Sequence, residues 1–131
     1  MKTLVIGMDG ASVETFKRGW TPYIESLIEQ GHRLDLKLDL LSRGWVEIFT
    51  GKHAIETGAL YDLPLLNRSL DWTLQFNIEA IPGWGNEIKP IWQVLNERGY
   101  KVGVMNVPTT FPAPKVDGFF VSGGGGGAKV V

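Results

Sequence analysis

A strand that is apolar along its length, rather than at every second position, has to be covered on both faces, and two such runs constrain this chain most. Leu4-Val5-Ile6-Gly7-Met8 is one, and the run over residues 101 to 107, Lys-Val-Gly-Val-Met-Asn-Val, is the other. Both read as buried strands of a parallel sheet. Helical signals lie between them. Over residues 20 to 31, Thr21 suits a cap, Pro22 the first turn and Gly31 the stop, with Tyr23, Ile24, Leu27 and Ile28 on one face. Residues 33 to 41 alternate, with Leu34, Leu36, Leu38 and Leu40 on one side, as a half-buried strand does. A second helix is expected from Gly44 or Trp45 to Gly51, and a third over residues 88 to 99 with Ile91, Trp92 and Leu95 inward. Residues 59 to 87 are rich in loop formers and read as irregular structure packed by Trp72, Phe76 and Trp84. A short last strand falls over residues 117 to 121. This order predicts an α/β fold, a mostly parallel sheet with helices on both faces.

The length of 131 residues suits a single α/β domain over residues 1 to 131, or the N-terminal portion of a larger catalytic domain. Hydrophobic residues at 44% are enough for a core. Thirteen basic against 14 acidic residues leave a net charge of −1, so the chain carries no nucleic-acid footprint. The absence of cysteine excludes disulfides, zinc–thiolate sites and thiol nucleophiles. The N-terminus does not read as a signal peptide. No stretch reaches the roughly 18 to 20 apolar residues of a membrane span, and a cytoplasmic protein is expected. Residues 122 to 131, Ser122 followed by five glycines and Ala-Lys-Val-Val, read as a flexible end. Gly123-x-Gly125-x-x-Ala128 matches a dinucleotide fingerprint only formally, because no helix can follow it.

In open α/β sheets, ligands sit beyond the carboxyl ends of strands. Three polar loops are expected there: Asp9, Ser42-Arg43, and Asn106-Val107-Pro108-Thr109-Thr110. Asp9, between Gly7 and Gly10, reads either as a turn residue or as a carboxylate aimed at a charge. Ser42 reads as a helix N-cap or a nucleophile, and these roles are compatible. Arg43 reads as a phosphate-oxygen ligand or a solvated charge. His32, after the helix-ending Gly31, reads as complementing the helix dipole, and His53 as a surface histidine.

These pieces occur in a characteristic order. Val5-Ile6-Gly7-Met8-Asp9-Gly10 precedes Thr21-Pro22-Tyr23-Ile24-x-x-Leu27-x-x-x-Gly31, Trp45-x-x-x-Phe49-Thr50-Gly51 and Thr57-Gly58. Residues 91 to 99 then lead into residues 102 to 112, Val-Gly-Val-Met-Asn-Val-Pro-Thr-Thr-Phe-Pro. The run resembles the opening part of the type I phosphodiesterases and nucleotide pyrophosphatases of the alkaline phosphatase superfamily. The resemblance implies an alkaline phosphatase-like fold and two divalent metal ions, zinc first, with manganese or magnesium as alternatives. It implies Asp9 as a metal ligand and a serine or threonine nucleophile before the helix that ends in Thr50-Gly51. Counted back from that pair, the nucleophile position falls on Leu41, which cannot attack, and Ser42 stands beside it. By their places, Arg43 beside Ser42 and Asn106 at the active edge of the sheet are substrate-binding candidates; the alternative for the loop of Asn106, Thr109 and Thr110 is that it sets its own turn. The remaining aspartate and histidine ligands of the family lie downstream, so a further C-terminal segment is expected to supply them. The expected substrate is a phosphate ester or nucleotide. The alternative is a non-catalytic small α/β binding module derived from that fold.

Overall fold

The computed structural model describes residues 2–34, 43–60 and 78–123. The chain divides into two compact units, Met1–Leu38 and Asp39–Val131.

In the first unit, helix α1 spans Val13–Phe16 and α2 spans Pro22–Gln30. The expected boundaries of α2 hold. Thr21 is its N-cap residue, Pro22 opens its first turn, and the Gly31 N–H closes it on the Leu27 carbonyl. The Thr21 hydroxyl is buried without a hydrogen-bond partner, and the cap is made instead by its carbonyl, which accepts from Glu25 N–H. Neither helix buries a residue, and Tyr23, Leu27 and Ile28 of the expected apolar face are exposed.

Residues 4 to 8 depart from the expected buried strand. They have no regular structure, and Leu4, Val5 and Ile6 are 81%, 79% and 70% exposed. The reason is pairing. A strand is stable only beside another, and this unit's described residues contain no second strand. A unit of this size also falls below the roughly 40 residues at which a chain covers its own core. The expected strand over residues 33 to 41 falls mostly on residues 35 to 42, outside the described residues; Arg33 and Leu34 are not in a strand.

The second unit holds helices α3 (Gly44–Thr50), α4 (Ala54–Thr57) and α5 (Ile91–Glu97), a short 3-10 turn (Ile78–Ala80), and strands β1 (Val102–Val107) and β2 (Gly118–Ser122). α3 stops where the sequence places it. Gly51 takes φ +65°, the left-handed geometry that glycine adopts without penalty. α5 begins three residues later than the periodicity suggests. Pro90 holds an extended N-cap, ψ 154°, and Ile88 bridges to Trp84 instead of starting the helix.

The core gathers Val46 and Phe49 from α3 with Ala59, Ile78, Ile81, Ile88 and Trp92. Trp92 is its centre. Its ring lies 4.8 Å from Phe49 and 5.2 Å from Phe120, and Phe49 meets Trp84 edge-on at 6.3 Å. Trp84 therefore packs as expected, while Trp72 and Phe76 lie outside the described residues.

β1 and β2 pair in parallel from Val102↔Gly118 to Val107↔Ser122. This is the α/β arrangement in its coarse form. Among the described residues the strands are covered on one face only, unlike the two-sided burial expected from their composition. Val102, Val104, Val107 and Phe120 face the core, while Met105, Phe119 and Val121 are exposed. On that covered face α5 packs on β1, and the strand residues meet a core that also holds Val46 and Phe49 of α3, so alternation of burial replaces continuous burial.

Asn96 on α5 fixes the start of β2. Its side-chain oxygen accepts from Asp117 N–H at 2.9 Å, and its amide donates to the Asp117 carbonyl at 3.1 Å and the Tyr100 carbonyl at 2.9 Å. Asn96→Ala should lower stability in urea denaturation by about 1–2 kcal/mol, the loss of a small set of half-exposed hydrogen bonds.

Candidate functional site

The carboxyl end of β1 concentrates the unusual backbone of the second unit. Met105 pairs with Val121 and Val107 with Ser122, so Asn106 has no partner of its own in the ladder. It is the extra residue of a bulge, with φ +54°. Asparagine tolerates this left-handed geometry better than most residues with a Cβ. Bulges redirect a side chain, and they recur beside functional sites. Asn106 is exposed at the strand end, where the sequence places it.

Thr109 also takes a positive φ, +65°, and is buried. A β-branched residue pays strain for that geometry, so the surroundings must hold it. The neighbouring Thr110 supplies the restraint. It is completely buried, its hydroxyl donates to the Val107 carbonyl at 2.6 Å, and it accepts from Gly123 N–H at 3.1 Å. Gly123 is buried as well. A Cβ on it would lie 2.2 Å from the Val107 carbonyl oxygen and 2.6 Å from Asn106 C, so no other residue fits without moving backbone. Ser122 and Gly123 thus belong to the strand end, and residues 124–131 of the expected flexible end lie outside the described residues.

Asp9 occupies an exposed turn with Gly10 at φ +67°, in the first unit, and does not follow a strand. Leu41 and Ser42 lie outside the described residues. Arg43 is the N-cap residue of α3. Its backbone N–H donates to the Ala59 carbonyl at 2.8 Å, and its Nε donates to the Leu60 carbonyl at 3.1 Å. Those bonds close the segment from 43 to 60, so at least one of its guanidinium donors has a structural task. His53 is exposed, as expected, and so is His32.

Around His53 a polar cluster forms, and it is a helix cap. Glu56 Oε2 accepts from His53 N–H at 3.0 Å and Glu56 Oε1 accepts from Lys52 Nζ at 3.1 Å. Glu47 Oε1 accepts from Ala54 N–H at 2.8 Å and lies 3.4 Å from His53 Nδ1. The Lys52 hydrogen bond, then the His53 backbone, hold the Glu56 carboxyl below its ordinary value. A carboxylate with a depressed folded value stabilises above the unfolded value, and that contribution is lost as pH falls through the depressed one. Glu56→Gln should therefore lower stability slightly at neutral pH and flatten the acid limb of the stability–pH curve, measured by thermal denaturation, with the two proteins converging at pH values below the depressed one.

No family model, curated protein or solved structure matches the chain.

The residues described do not by themselves fit a bimetal centre. Asp9 is a single exposed carboxylate, and no group of three or more histidine, aspartate or glutamate side chains converges among the described residues. A catalytic divalent ion takes at least three protein ligands in zinc enzymes. No described helix is long and apolar enough to cross a membrane.

Thr110 and Gly123 are the residues that sequence reading underrates. A buried threonine looks like any loop threonine, and its bond to Gly123 spans too many positions for local periodicity to register.

Proposed function

We propose that this chain is the N-terminal part of a metal-dependent hydrolase of phosphodiester or nucleotide pyrophosphate bonds. The observation that carries the reading is the left-handed bulge at Asn106, at the carboxyl end of a parallel strand, within the run that resembles the phosphodiesterase family. In this reading the Ser42 hydroxyl attacks phosphorus. The Ser42 Oγ–phosphorus bond forms, the bond to the leaving oxygen breaks as that oxygen takes up the hydroxyl proton, and water later releases the phosphoryl group and returns a proton to Ser42. Arg43 binds a phosphoryl oxygen and Asn106 orients the ester. Two divalent ions, zinc first, would supply charge for the attacking and leaving oxygens. Asp9 would give one ligand, and chain outside these residues would give the rest.

The test is metal content by mass spectrometry together with hydrolysis of bis-p-nitrophenyl phosphate. It uses this chain and the product of its full reading frame, each beside Asp9→Ala and Ser42→Ala. The full product should bind metal and turn over. Asp9→Ala should lose both, and Ser42→Ala should keep metal but lose turnover by about a thousandfold or more. A full product without metal sinks the reading.

A second reading is a small α/β binding module. The exposed apolar residues Leu4, Val5 and Ile6 in one unit, and Met105, Phe119 and Val121 in the other, favour it, because apolar surface of this kind marks contact sites. Absence of both metal and turnover in every form would support it.

A further inference from the structure

Three backbone segments meet at the peptide between Asn106 and Val107. β1 arrives there and bulges, the loop after it returns through Thr109 and Thr110, and β2 ends against it at Gly123. The Thr110 hydroxyl joins all three. It donates to the Val107 carbonyl at 2.6 Å and accepts from Gly123 N–H at 3.1 Å, with no exposure to solvent. Gly123 closes the joint from the other side, since a Cβ there would overlap the Val107 carbonyl. Left-handed φ values at Asn106 and Thr109 flank the joint; asparagine tolerates that geometry, whereas β-branched Thr109 holds it only with support from its surroundings.

We propose that Thr110 is a positioning residue, whose hydroxyl locks the bulge and so sets Asn106 toward a phosphate-ester substrate; the substrate half of this rests on the hydrolase reading above. Without the hydroxyl, Gly123 N–H and the Val107 carbonyl lose a buried partner. The bulge can then relax toward an ordinary extended register in which Asn106 takes a different orientation.

The experiment compares Thr110→Val, which keeps shape and loses the hydroxyl, with Thr110→Ser, which keeps the hydroxyl. The first readout is amide hydrogen exchange of this chain by NMR. Gly123 N–H should exchange about tenfold faster or more in Thr110→Val and near the wild-type rate in Thr110→Ser, with the α5 amides as an unchanged internal control. The second is bis-p-nitrophenyl phosphate kinetics on the full reading-frame product. Thr110→Val should raise KM about tenfold with kcat within about twofold, Thr110→Ser should restore KM, and adding Asn106→Ala to Thr110→Val should raise KM no further.

Unchanged Gly123 exchange in Thr110→Val overturns the lock, and so does failure of serine to restore it. Additive KM effects of the two substitutions overturn the route through Asn106. A wild-type product without turnover overturns the hydrolase reading and the substrate role with it, while the exchange result still decides whether Thr110 locks the bulge.

Discussion

Trp92→Ala should cost about 3–5 kcal/mol of stability. Trp92 is 4% exposed and joins Phe49 of α3 to Phe120 of β2 through its ring. Truncation leaves a cavity lined by both rings, and neither segment can collapse into it without giving up its own contacts. A domain is stable by only about 5–15 kcal/mol. The substitution should therefore remove a large share of the second unit's stability, seen as a lower urea midpoint by circular dichroism. Trp92→Phe should recover more than half of the loss, because a smaller ring still spans part of the gap. An unchanged midpoint in Trp92→Ala would mean that the core is not organised around this ring.

Gly118→Ala should be comparably damaging for a different reason. Gly118 opens β2 at φ +138°, a region that essentially only glycine occupies. A Cβ there would lie 1.8 Å from the Val102 carbonyl oxygen and 2.9 Å from Val102 N. Both neighbours are backbone, so no rotamer change relieves the overlap. The first ladder pair, Val102↔Gly118, must open, at a cost of about 3 kcal/mol or more. Amide exchange should show the loss starting at the Val102 end of the ladder, with α3 and α4 protected as before. If protection at Val102 survives, the strand start tolerates a side chain and the close approach is not a constraint.

What the sequence made legible is local. Pro22, Gly31, Gly51 and Gly99 marked helix ends, because caps and stops are decided by a residue's own φ and hydrogen-bonding preferences. The parallel sense of the sheet was legible in the apolar composition of residues 101 to 107, whereas the pairing of β1 with β2 was not. Two-sided burial did not follow, since composition cannot say whether a second layer arrives. The apolar run from Leu4 to Met8 shows the same limit: strand propensity, with no neighbouring strand among the described residues of its unit, leaves Leu4, Val5 and Ile6 exposed. Of the candidate site, Asn106 was found at a strand end because polar loops collect there. Its left-handed bulge and the Thr110–Gly123 bond depend on chain register, which no local pattern encodes.

The connection between the two strands is short for parallel partners. Parallel strands ordinarily need a crossover of about a dozen residues or more, usually through a helix, whereas residues 108 to 117 join β1 to β2 without one. Loop-closure entropy rises with the length of chain that must be brought round, and long-range pairing is what makes parallel sheets slow to form. This ladder escapes that penalty. Its closure spans only residues 108 to 117, with the Asn96–Asp117 hydrogen bonds at one end, so the ladder depends less on distant chain than the core contacts of Val46 and Phe49 do.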